Sequence, residues 1–217
     1  MTAAHKSFSE MQLDGVEIVA REELFLGYFR VDRYRLRHRL FAGGMSGEFM
    51  REIFERGHAA AVLPYDPLRD EVVLIEQFRP GALAAGFHPW LIEPVAGIIE
   101  PGERVEDVAR REALEESGCA ISDLVPMHHY LTSPGGTSES CALFCGKVDA
   151  ANAGGLHGLD GEDEDIRVMA IPFAEARAWL DQGKLNNALT IIAVQWLALN
   201  RERLRAQWAV DVRGRLD

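Results

Sequence analysis

Hydrophobic and polar positions change their period along this chain, and the changes divide it into elements. In residues 29–40 the period is two: Tyr34, Leu36, His38 and Leu40 alternate with Arg33, Arg35, Arg37 and Arg39. That pattern predicts a strand with one solvated face. Gly43-Gly44-Met45-Ser46-Gly47 then reads as a turn. Residues 1–57 are therefore expected to form a small antiparallel β-domain, too short to bury much core alone. From His58 the apolar positions run together. Residues 59–64 and 72–78 predict paired buried strands around the turn Asp66-Pro67-Leu68-Arg69-Asp70. Further strands are expected at 90–95, 140–148 and 166–171. Helices are expected at 105–117, at 173–182 (stopped by Gly183) and from 189 to about 205. Residues 58–217 thus predict an α/β sandwich. The glycine-rich, acidic stretch 154–165 predicts a mobile surface loop.

The helix at 105–117 departs from an ordinary amphipathic pattern. Val105, Val108 and Ala109 make an apolar stripe, and the same face continues into Glu112 and Glu116, with Glu115 beside them. Most glutamate-rich helices turn their acids to water. Here the acids extend a core face, where two carboxylates about 4 Å apart repel by roughly 4 kcal/mol at an effective dielectric of 20. Such a group calls for cations, and hard oxygen ligands with room for water and phosphate suit Mg²⁺, with Mn²⁺ as the alternative.

Composition narrows the partners. A net charge of −11 argues against nucleic acid, and an acidic site meets a phosphate substrate only across a cation. No apolar run is long enough to span a membrane, and the N-terminus lacks a signal-peptide core. Cys119, Cys141 and Cys145, without Cys-x-x-Cys spacing, suggest a reduced cytoplasmic protein.

The segment from Gly97 to Cys119 resembles the Nudix box, G-x5-E-x7-R-E-U-x-E-E-x-G-U, where U is a bulky aliphatic residue. Gly97, Glu103, Arg111, Glu112, Glu115, Glu116 and Gly118 occupy its fixed positions, and the smaller Ala113 and Cys119 stand at U. The resemblance implies an α/β/α Nudix sandwich after the β-domain. It implies metal held by Glu112 and Glu116, with Glu115, Glu164 and the Ala96 carbonyl as further ligands. Arg111 would brace the glutamates and Glu103 would cap the loop. The flanks resemble the bacterial ADP-ribose pyrophosphatase group of that family: Val73-Leu-Ile-Glu-Gln-Phe-Arg79, Glu93-Pro-Val-Ala-Gly97, Ser133-Pro-Gly-Gly-Thr-Ser-Glu139, and Pro134 sixteen residues after Gly118.

By that resemblance the N-terminal domain is exchanged across a homodimer. Tyr28, Phe29, Arg51 and Glu52 would come from the partner subunit. Arg79, Ile98, Ser133, Pro134, Gly135 and Glu139 would line the remaining pocket, and Arg56 would sit at the subunit boundary. Glu162 would be the general base. The implied reaction is Mg²⁺-dependent hydrolysis of a nucleoside-diphosphate compound, with ADP-ribose giving AMP and ribose 5-phosphate. The alternatives are GDP-mannose or another nucleotide sugar, or a non-catalytic nucleotide-sensing module.

Overall fold

The N-terminal alternation becomes three antiparallel strands in the order β1 (Val16–Leu26), β2 (Arg30–His38) and β3 (Phe49–Glu55). They are seen in a computed structural model that describes residues 13–158, 161 and 164–213. The arginine row meets acids on both neighbouring strands. Arg33 lies 3.6 Å from Glu22 and 3.0 Å from Glu52, Arg35 lies 3.4 Å from Glu48, and Arg37 lies 3.6 Å from Glu17. Exposed pairs of this kind stabilise little, about 0–1 kcal/mol each. On the other face Asp32 is buried against Arg21 and Arg30. Tyr34 is the one large hydrophobic side chain of this sheet that is buried among the described residues.

The chain divides into two compact units, one holding the residues up to His58 together with Leu131–Ser140, the other Ala59–Tyr130 and the residues from Cys141 onward. The inserted segment is tied to β3: Phe54 N donates to Gly136 O at 2.8 Å, and Thr137 Oγ1 donates to Phe54 O at 2.9 Å.

In the second unit the elements follow in the order β4 (Ala59–Asp66), β5 (Glu71–Phe78), α1 (Pro80–Ala84), β6 (Trp90–Glu93), β7 (Val95–Ile98), α2 (Val105–Ser117) and β8 (Asp123–Leu131). Then come β9 (Ser140–Lys147), β10 (Gly154–His157), β11 (Ile166–Pro172), α3 (Phe173–Asp181) and α4 (Ala188–Arg213). The sheet runs β10-β11-β5-β4-β9-β8, with β6 on β5 and β7 on β4, and β4–β9 is a parallel pair. Helix α2 covers one face, where Val108, Ala109 and Ala113 pack on Ala60, Val62, Val73 and Ile75. Helices α3 and α4 cover the other, where Ala176, Val194, Leu197, Leu204 and Trp208 pack on Leu63, Tyr65, Leu74 and Leu143. This is the expected α/β/α layering. Strands buried on both faces read as unbroken apolar runs, which is why β4 and β5 did. No helix among the described residues is long and apolar enough to cross a membrane.

Four expectations change in detail. Strands β4 and β5 pair only at Tyr65–Val72 and Asp66–Glu71, then diverge to other partners. The single strand expected at 90–95 is two strands that break at Pro94, which has no N–H to donate. Residues 154–157, expected as part of a loop, form edge strand β10 on β11; their glycines hid it. Helix α4 continues to Arg213, well past the expected end.

Candidate functional site

Helix α2 is built to bring carboxylates to the sheet. Glu106 and Asp107 stand in its first turn, where the helix dipole favours acids, and Gly118 closes it with φ 66°. Its buried stripe of Val108, Ala109 and Ala113 continues into Glu116, only 5% exposed. Glu116 Oε2 accepts a hydrogen bond from Ala96 N at 3.3 Å, so the acid rests against strand β7.

Gly97 explains how Glu112 reaches the same place. A Cβ at position 97 would lie 1.8 Å from Glu112 Oε1. Only a residue without a side chain lets that carboxylate lie over the backbone of β7.

Arg111 ties the acids together. Its Nη1 is 2.8 Å from Glu112 Oε1 and 3.1 Å from Glu115 Oε2, and its Nη2 is 3.6 Å from Glu103 Oε1. Glu103 Oε2 in turn accepts from Glu100 N at 2.9 Å, which fastens the loop before the helix. Glu115 is much more exposed than Glu112.

The electrostatics of this face favour a cation. Burial, then the charge of Glu112, pushes the Glu116 carboxyl up to about 8, against the Ala96 hydrogen bond; Glu164 pushes the same way and Arg79 opposes. Burial raises Glu112 as well, against the charge of Arg111 and with those of Glu115 and Glu164. Glu164 is therefore near both acids. Among the described residues no three acidic, His or Cys side chains already converge on one point. A buried and a half-buried carboxylate on one helix face nonetheless fit a hard divalent cation that completes its shell from water or substrate oxygens. Glu162 and Asp163 lie outside the described residues.

The remaining expected site residues fall in both compact units. In the second, Arg79 Nε donates to Glu93 Oε2 at 2.7 Å, and Ile98 ends β7, two residues after Ala96. In the first, the Tyr28 and Phe29 rings meet edge-on at 4.8 Å, and Phe29 meets Phe54 at 5.0 Å. Tyr28 is 88% exposed. Arg56 lies over Phe29 and 3.4 Å from Glu139 Oε1, while Thr132 Oγ1 donates to Glu139 Oε2 at 3.0 Å. Ser133, Pro134 and Gly135 form the exposed tip of the inserted segment. Arg51 and Glu52 are consecutive on β3 and project to opposite faces: Arg51 is opposite Tyr34, and Glu52 pairs with Arg33.

Sequence reasoning gave no role to Glu93. Its signal was present: a lone acid inside the apolar run Trp90-Leu-Ile-Glu-Pro-Val-Ala96 demands a buried partner.

Comparison with known proteins agrees with this geometry. A family model described as NUDIX domain matches residues 55–200. An ADP-ribose pyrophosphatase of Escherichia coli (strain K12) is 56% identical over 194 residues, covering 89% of this chain and 93% of the relative. One from Haemophilus influenzae is 42% identical over 212 residues, covering 94% and 96%. A GDP-mannose pyrophosphatase of Cronobacter sakazakii is 38% identical over 151 residues, covering 69% and 78%. The crystal structure of an ADP compounds hydrolase has a TM-score of 0.67 at 22% identity, covering 91% of this chain and 98% of that one, and so shares the fold.

Proposed function

The chain belongs to the Nudix family, and from that premise we propose that it hydrolyses the diphosphate of ADP-ribose to AMP and ribose 5-phosphate. The observation that carries this reading is the 56% identity to an ADP-ribose pyrophosphatase over nearly the full length of both chains. The GDP-mannose pyrophosphatases match less of the chain at lower identity.

The chemistry assigned to each residue follows from its surroundings. Glu112 and Glu116, with the Ala96 carbonyl and Glu164, would hold Mg²⁺ (or Mn²⁺), with Glu115 in reserve beside Arg111. When bound, such a cation neutralises charge on the diphosphate and acidifies a water. Gly97 leaves room for Glu112, and Arg111 keeps its carboxylate from turning away. Arg79 offers a guanidinium fork to a phosphoryl oxygen. Ile98 is assigned to the pocket wall. Glu162 is assigned the general base.

The adenosine end is assigned to Tyr28, Phe29, Arg51 and Glu52 of a partner subunit, with Ser133, Pro134, Gly135 and Glu139. An adenine stacks on an exposed ring, which Tyr28 supplies. The protein is accordingly read as a homodimer. Its three buried cysteines form no disulfide, which suits the reducing cytoplasm.

Product analysis over a panel of nucleoside-diphosphate compounds with Mg²⁺ tests the assignment. ADP-ribose should be the best substrate, cleaved only when a divalent cation is present, and Glu162→Gln should lower kcat on the order of 10²–10⁴-fold. Faster cleavage of GDP-mannose, or full activity in chelator, would overturn it.

A further inference from the structure

Glu93 lies directly opposite Ile75 in the β5–β6 ladder, and Ile75 packs beneath α2. Opposed residues of an antiparallel pair share a face. Glu93 is therefore on the side of the sheet that carries the α2 carboxylates. Arg79, four residues beyond Ile75, follows the same period of two, and its backbone N–H still bonds Pro89 O at 2.7 Å. The charge of Arg79 is felt at Glu116.

A guanidinium beside a buried carboxylate tends to collapse onto it, because charge-assisted pairs are the strong ones. Arg79 does not collapse onto Glu116. Its Nε is tied to Glu93 Oε2 at 2.7 Å, and Glu93 is its only side-chain partner among the described residues. The Glu93 side chain is 9% exposed and that of Arg79 is 40% exposed, so the acid is the buried anchor of the pair and the arginine is open to solvent along part of its length. The fork is planar, and fixing Nε fixes the direction of both Nη groups.

We infer that Glu93 is a positioning residue, which holds Arg79 away from Glu116 and presents its Nη edge to a phosphoryl oxygen of the substrate. This rests on the function proposed above only in taking the substrate to be a nucleoside-diphosphate compound.

Steady-state kinetics of Glu93→Gln, Glu93→Asp, Arg79→Gln and the Arg79→Gln/Glu93→Gln double variant, with thermal melts as a check on folding, test it. Glu93→Gln should raise KM about 10–100-fold, the scale of a charge-assisted contact, while kcat stays within about threefold. Glu93→Asp keeps the charge and should recover part of the loss. In the Arg79→Gln background, Glu93→Gln should add no further rise, because its effect runs through Arg79. An equal rise in both backgrounds, or a fall in kcat with KM unchanged, would overturn the inference. If Glu93→Gln does not fold, Glu93→Asp carries the same comparison in both backgrounds. If the wild-type chain cleaves some other nucleoside-diphosphate compound and not ADP-ribose, the substrate assignment fails, and the same cycle on that compound still decides the role of Glu93.

Discussion

Gly97 concentrates the logic of the site in one residue. The sequence motif marks it as fixed, and the structure supplies the reason: the space a side chain would take is filled by the Glu112 carboxylate. Gly97→Ala must therefore displace Glu112 from its place beside Glu116. A shift of about 1 Å in a site that works by positioning costs on the order of 10²-fold in rate. Crowding at this packed junction should cost about 1–3 kcal/mol in stability as well. The expected result is a folded enzyme with kcat/KM down on the order of 10²-fold and a lower Tm. Wild-type kinetics in the Gly97→Ala variant would show that Glu112 has no need of this position. Glu93 teaches the opposite lesson at the same scale. Its burial was visible in the sequence as an acid in an apolar run, but its partner, fourteen residues earlier in the chain, was visible only in three dimensions.

At the scale of elements, the turn between β4 and β5 anchors the C-terminal helix. Asp66 accepts from Leu68 N and Arg69 N at 2.9 and 3.0 Å, which forms the turn, and from Ala150 N at 3.0 Å, which ties it to the chain after β9. Asp70 has φ 60°, a left-handed conformation that Asp and Asn tolerate. Its carboxylate accepts from Tyr65 Oη at 2.7 Å and from Arg201 Nε at 2.6 Å on α4. Burial alone would raise the Asp70 carboxyl; hydrogen bonds from Arg201 and Tyr65 and the charges of Arg201 and Arg205 hold it below its usual value. A depressed folded-state pKa means that the unfolded chain binds the proton more readily. The pair's stabilisation is therefore complete above the ordinary aspartate range, near pH 4, and is lost as pH falls through the lower folded value. Asp70→Asn keeps the backbone conformation and removes the charge. At pH 7 it should lower stability by about 2 kcal/mol, the scale of hydrogen bonds to a charged group. The gap to wild type should close as denaturation is followed below pH 4. A gap independent of pH would mean that the carboxylate charge is not what joins this turn to α4.

For the whole molecule, the first compact unit poses the main question. Its three-stranded sheet buries Tyr34 and little else that is apolar, while Phe25, Leu26, Tyr28 and Met50 are 59%, 66%, 88% and 58% exposed. Large exposed apolar side chains in such number mark an interaction surface. A second copy of the chain fits the proposed sharing of the adenosine site. The protein should be dimeric by light scattering at micromolar concentration, and deletion of residues 1–55 should abolish both the dimer and ADP-ribose hydrolysis. A fully active monomer would overturn the shared site.

The sequence by itself determined the secondary structure wherever periodicity was strong. Helix α2 runs over the residues its stripe predicted, and the alternating arginines lie on one strand face. It also determined that Glu112 and Glu116 continue the buried stripe of that helix, because side-chain spacing on a helix is a local property. Tertiary structure alone decided strand partners, since β4 and β5 separate after two paired positions and find neighbours far along the chain. It alone revealed edge strand β10, because sheet pairing overrides the weak local preference of glycine. It alone joined residues 131–140 to the N-terminal strands and Glu93 to Arg79. Those contacts are non-local, and no period along the chain encodes which distant residue will supply a buried group with its partner.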